Sequence, residues 1–241
     1  MISYLIKSKK ENPPYELIAD QKIIIASLTN EDLIKKSSDK VQFHPIVPNV
    51  EEYIRDLDRF GLLGMARKRL RGLSIFNLIS ISILILRNMP DFLTSMATRI
   101  KIMAELELLK YKRKPKRVYL HTQMTDMALA FDYPDMIKQF CSHVQGKSIQ
   151  PAIMTNNLAE ILKRLDDWAL SEKIVPVIAC PINNLGWMMK PNKKKVERLV
   201  RNSKRTIVGF NITCDGTISE QEAIRYAEKQ GVNELIITKS I

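Results

Sequence analysis

The chain has 241 residues, of which 45% are hydrophobic and 27% charged, with a formal net charge of +12. That length and apolar content support a packed core and exclude a disordered or fibrous chain. The three cysteines, Cys141, Cys180 and Cys214, are too few and too dispersed for a disulfide framework and lack zinc-site spacing, so the expected setting is reducing and cytoplasmic.

The opening residues, MISYLIKSKK, carry no long apolar run and no small-residue cleavage site, and no secretory leader is expected. Short β-branched runs then alternate with amphipathic stretches. The first strands are expected at 2–6 (ISYLI), 22–27 (KIIIAS) and 41–47 (VQFHPIV). Helices are expected at 13–21 and 29–38, and a further one at 49–60 opens on an Asn cap with an acidic first turn.

The segment 61–115 is far longer than an ordinary connection. It contains the basic cluster RKRLR at 67–71, the apolar run LSIFNLISISILIL at 73–86, and an amphipathic stretch that reads as a helix. The apolar run falls short of the roughly 20 residues that span a bilayer. The segment therefore reads as a helical insertion serving as a lid, an interface between copies or a membrane-surface element.

Beyond it, strands are expected at 117–124 (RVYLHTQM), 148–154 (SIQPAIM), 175–182 (VPVIACPI), 206–212 (TIVGFNI) and 234–240 (ELIITKS). Helices are expected at 133–144, 156–172, 192–202 and 219–231, the last capped by Ser219 and stopped by Gly231. Strands joined by right-handed helical crossovers predict an α/β fold, a (β/α)8 TIM barrel over 1–241 with the insertion between strands 3 and 4 and without the usual last helix. An open doubly wound sheet is the competing architecture.

In such a barrel the reactive groups hang from the carboxyl ends of the strands. His44 and His121, on neighbouring strands, are expected to converge as proton-exchanging groups, with Asp126 orienting or charging one of them. The bland alternative is a pair of hydrogen-bonded core histidines. Substrate contacts are expected from Ser27, Gln123, Asn156, Asn183, Asn184, Asn211 and Lys239, although asparagine is equally at home in turns and helix caps. His44, His121 and Asp126 include metal-ligand atom types, but no ligand spacing supports a metal, and no cofactor is required.

The loop INNLGWMMKP after the sixth candidate strand contains Asn183, Gly186, Met189 and Pro191 in an Asn-x-x-Gly-x-x-Met-x-Pro pattern. Through this loop, the chain from about Arg117 onward and HPIVP at 44–48, the sequence resembles a family of (β/α)8 barrel proteins from microbial, archaeal-like genomes. The resemblance implies the barrel and no particular activity. At the end of the eighth strand Thr238, Lys239 and Ser240 stand where phosphate-binding barrels usually have glycine, which argues against a standard phosphate site.

The leading expectation is an enzyme with lyase-, isomerase- or aldolase-like acid/base chemistry on a small polar or anionic metabolite. Alternatives are a basic protein that binds nucleic acid, and one that uses the insertion at a membrane surface or for oligomerisation. Nucleic acid is not favoured, because the basic clusters lack interleaved aromatics apart from Tyr111. A homo-oligomer formed through 61–115 is expected, with no transmembrane segment.

Overall fold

A computed structural model describes residues 2–7, 23–26, 42–111, 114–168, 176–232 and 234–240. The strands are β1 (Ile2–Lys7), β2 (Ile23–Ala26), β3 (Gln42–Val47), β4 (Arg117–Leu120), β5 (Gln150–Met154), β6 (Val177–Pro181), β7 (Ile207–Phe210) and β8 (Glu234–Ser240). Nine helices occur among the described residues. Four lie between β3 and β4: α1 (Val50–Leu70), α2 (Ile75–Arg87), α3 (Met89–Thr94) and α4 (Met96–Leu108). The others are α5 (Thr122–Ala130), α6 (Pro134–Gly146), α7 (Leu158–Asp167), α8 (Lys193–Asn202) and α9 (Glu220–Lys229). The expected helices at 13–21 and 29–38 lie outside the described residues.

From β3 to β8 the chain builds a six-stranded parallel sheet curled into half a barrel, an α/β fold. The backbones of β1 and β2 pair with one another and with β8 and β3 respectively, also in parallel. Side chains alternate along each strand. On β4, Tyr119 joins Ile46, Ala152, Val177 and Val208 in a cluster on the concave face. Its neighbours Val118 and Leu120 belong instead to the larger cluster under the helices. Both layers are apolar, which is why β6 and β7 read as continuous hydrophobic runs.

Several boundaries differ from expectation: the helix expected at 49–60 runs on to Leu70, and two further differences have a visible cause. The fourth strand ends at Leu120 rather than at 124, because His121 accepts a hydrogen bond from the backbone N–H of Gln123 through Nδ1 and so caps α5. The helix expected at 156–172 begins at Leu158, with Asn157 as its cap, and is described as far as Asp167.

The inserted helices are organised around buried charge. In a straight helix Asp56 and Arg69 would lie about 20 Å apart, yet Arg69 Nη2 donates to Asp56 Oδ2 at 2.6 Å. The contact exists because α1 reverses at Gly61, with φ 65° and ψ −179°, a backbone conformation open essentially to glycine alone. Lys68 completes the clasp by donating to Asp56 Oδ1 at 2.7 Å. Further along, Asn49 donates its backbone N–H to Glu107 of α4 at 2.7 Å. Burial pushes the Glu107 carboxyl up to about 8, so it is largely neutral at pH 7. On α4, Glu105 accepts from Lys147 and pairs with His143 at 2.8 Å each, fastening α4 to α6.

Replacing Gly61 with alanine is expected to lower stability by about 1 to 3 kcal/mol through backbone strain, although a Cβ there meets nothing within 4 Å. Gly146→Ala, in open space without a positive φ, should be neutral or stabilising by up to about 1 kcal/mol. Urea unfolding of the two variants checks the contrast. Equal midpoints would show that the reversal at Gly61 carries no strain.

Candidate active site

Parallel strands place all their carboxyl ends on one edge of the sheet, and polar residues collect there. His121 follows β4, Thr155 and Asn156 follow β5, Asn183 and Asn184 follow β6, and Asn211 follows β7. At the opposite edge lie the strand starts, Arg117 of β4, Gln150 of β5 and Glu234 of β8.

The two histidines do not meet. Ile46 pairs with Tyr119, so His44 stands level with Arg117. His121 lies four residues further along β4, about 13 Å higher at the usual rise per strand residue. His44 is instead buried among the charges at the strand starts. Burial there drives its pKa from 6.5 down to about 4, the Arg117 guanidinium adding to the depression and Glu234 partly opposing it. Neither ring nitrogen of His44 has a hydrogen-bond partner among the described residues. The third histidine, His143, is engaged with Glu105.

Sequence reading missed the network beside His44. Arg117 donates through Nη1 and Nη2 to the two carboxylate oxygens of Glu234 at 2.7 and 3.1 Å, and through Nε to Gln150 at 2.9 Å. It also donates to the Tyr119 hydroxyl at 3.2 Å. Arg117 and Glu234 are 117 positions apart, and no local pattern links them.

At the upper edge His121 is half-buried. Burial lowers its pKa, with Glu51 opposing, so the imidazole is neutral at pH 7. Because Nδ1 accepts from Gln123, the proton of the neutral ring resides on Nε2, leaving a donor for a ligand. Gln123 is exposed and contributes its backbone N–H to this cap.

Asp126 does not reach back to His121. It lies on α5, not in a strand-end loop, and its carboxylate accepts from Thr155 Oγ1 at 2.5 Å, Asn156 N at 3.3 Å and Asn156 Nδ2 at 3.1 Å. These donors make it a positioning group for the end of β5. Held through Nδ2, Asn156 leaves its Oδ1 buried and without a partner among the described residues. Asn184 repeats the arrangement after the next strand: Nδ2 donates to Glu222 at 2.6 Å and Oδ1 remains buried with no partner among the described residues. A buried unpaired acceptor costs about 1 to 3 kcal/mol, which a ligand N–H or O–H can relieve.

Asn183 and Asn211 do different work. Asn183 is buried, accepts from Trp187 N at 2.8 Å and donates to Trp187 O at 2.9 Å, and thereby shapes the loop after β6. Asn211, in a left-handed conformation at φ 52°, turns its Nδ2 toward the Met188 sulfur at 3.6 Å. Ser27 lies outside the described residues. Lys239 falls within β8, opposite Ile6, and its side chain is not among those described.

No group of three or more His, Cys, Asp or Glu side chains among the described residues is arranged to hold a metal. Burial raises the thiols of Cys141 and Cys180 to about 12, which removes them as nucleophiles. The basic clusters are also partly spent. Arg69 and Arg117 are buried in ion pairs, and Arg201 and Arg205 bond to Gln230 and Asp166.

The fold and this edge define an α/β protein built on a curled parallel sheet, with a half-buried imidazole and two unpaired amide oxygens at the strand ends. Comparisons of the chain with protein-family models, with curated proteins and with solved structures find no match.

The depressed pKa of His44 has a consequence for stability. An unfolded chain takes up this proton near pH 6.5 and the folded one near 4, so the advantage of the neutral buried ring is complete above pH 6.5. It is lost as pH falls from 6.5 to 4, by about 3 kcal/mol for this group. His44→Leu is expected to flatten the stability profile over that interval, measured by urea unfolding at stepped pH. An unchanged slope would place the titrating group elsewhere.

Proposed function

We propose that the chain is a TIM-type (β/α)8 barrel enzyme acting on a small polar metabolite at the carboxyl ends of β4 to β6. Support for the full barrel comes from the pairing order, which runs from β1 through β8 and returns to β1. The register offsets over one circuit also amount to about eight residues, the stagger of that fold.

The observation that carries the functional reading is the coincidence, on adjacent strand ends, of a neutral imidazole and two unpaired buried amide oxygens. His121 offers an Nε2 proton and serves as the acid/base group. Asn156 and Asn184 accept hydrogen bonds from substrate hydroxyl or amino groups, and Asp126 and Glu222 hold their amides in that orientation. His44, neutral and level with the strand starts, takes no part in proton exchange. The chemistry is of the lyase, isomerase or aldolase type, in which a proton moves at a carbon or oxygen beside a polarised group. Binding of nucleic acid is less well supported, because Arg69 and Arg117 are committed inside the protein.

A thermal-shift screen of small hydroxylated, amino and carboxylate metabolites tests the reading. A compound that raises the melting temperature should bind about tenfold more weakly to His121→Ala and to Asn156→Ala, the equivalent of about 1.4 kcal/mol. It should bind His44→Leu normally, with each variant shown to be folded by circular dichroism. Loss of binding in His44→Leu alone would move the site to the other edge of the sheet.

A further inference from the structure

The helices inserted between β3 and β4 carry apolar stripes that no described residue covers. In the second half of α1, Leu63, Ala66 and Leu70 recur at helical spacing, and Leu63 is 85% exposed. On α2 the outward stripe is Ile75, Ile79, Ile83 and Leu86 beside Phe76, which is 77% exposed. The opposite side of α2, at Ile81, is buried. Large exposed side chains on two successive helices exceed the scattered apolar surface normal for a monomer.

The charge on this excursion is sorted. Its acids Glu52 and Asp56 are turned inward and neutralised by Arg69 and Lys68. Between Val50 and Arg87, Arg55, Arg59, Arg67, Lys68, Arg71 and Arg87 are exposed against the exposed acids Glu51 and Asp58, and Asp91 on α3 adds one more acid. Arg67 and Arg87 border the apolar stripes at one helical turn from Leu63 and Ile83. An apolar stripe edged by arginine matches an anionic lipid interface, where the aliphatic stems of the basic side chains stay in the acyl boundary and their heads meet phosphate. A symmetric contact between two copies would instead bring this arginine-rich rim against itself. No helix among the described residues is long and apolar enough to cross a membrane, and α2, about 20 Å long, is too short to span the hydrocarbon core.

We propose that the apolar stripes of the second half of α1 and of α2, with the arginines beside them, dock the protein on the surface of anionic membranes. The site at the strand ends does not enter this inference.

Flotation of the full-length protein tests it, using vesicles of phosphatidylcholine alone and of phosphatidylcholine mixed with phosphatidylglycerol. Anionic vesicles should carry at least about tenfold more protein, and the difference should shrink at high salt as the charges are screened. The double variant Ile79→Ser with Ile83→Ser alters exposed positions and should keep its circular dichroism, yet stop floating. Arg67→Gln with Arg87→Gln should reduce binding to anionic vesicles only. Failure to float with anionic vesicles, or equal binding to both compositions, overturns the proposal. So does a lipid-free dimer, seen by light scattering, that the serine variant converts to monomer, since a second copy would then cover the face.

Discussion

Because every described strand runs parallel to its neighbours, a side chain's height in the curled sheet is set by its place in the register, and all carboxyl ends share one edge. That constraint separates two polar regions that sequence alone would merge. At the strand starts, Arg117, Gln150 and Glu234 form a paired network beside His44. At the strand ends, His121, Asn156 and Asn184 keep hydrogen-bonding capacity that the protein does not use. Between them lies an apolar layer containing Ile46, Tyr119, Ala152 and Val208.

The two regions differ in electrostatic character. Around Arg117 the charges are matched, with its guanidinium hydrogen-bonded to carboxylate, amide and phenol. Removing one partner of such a buried set costs several kcal/mol because the other is left uncompensated, which is the signature of a structural network. At the strand ends the carboxylates of Asp126 and Glu222 are spent on orienting amides, and the groups that His121, Asn156 and Asn184 present are neutral. Neutral donors and acceptors held in fixed directions suit recognition of a polar, uncharged part of a substrate.

Much of the fold was legible in the sequence. The apolar runs at Gln150–Met154, Ile207–Phe210 and Glu234–Ser240 form strands, and the expected Asn49 and Ser219 caps of α1 and α9 accept backbone hydrogen bonds. The excursion before β4 was legible too, through its length, but not its reversal at Gly61, which joins Asp56 to Arg69 across thirteen positions in a way that no helical period reports. The site was legible in part. The asparagines at the strand ends were visible as a group, whereas their roles were not, because Asn183 and Asn156 occupy similar positions and differ only in which of their amide atoms find partners. His44 was misplaced for a related reason: the sequence marks it as a strand residue, but not that the register sets it level with the first residue of β4. His121 was expected inside a strand running to 124 and instead caps a helix, a role hidden because the chain's strand pattern runs on through Gln123.

The central claim, that one histidine belongs to the structural end of the sheet and another to the reactive end, is tested most directly by nuclear magnetic resonance titration of the imidazole rings. The account predicts that the His44 ring stays neutral until the pH approaches about 4. It also predicts that His121 shows the Nε2–H tautomer and responds to an added ligand while His44 does not. Two rings that titrate as a coupled pair, or a His44 signal that moves with the ligand, would contradict it.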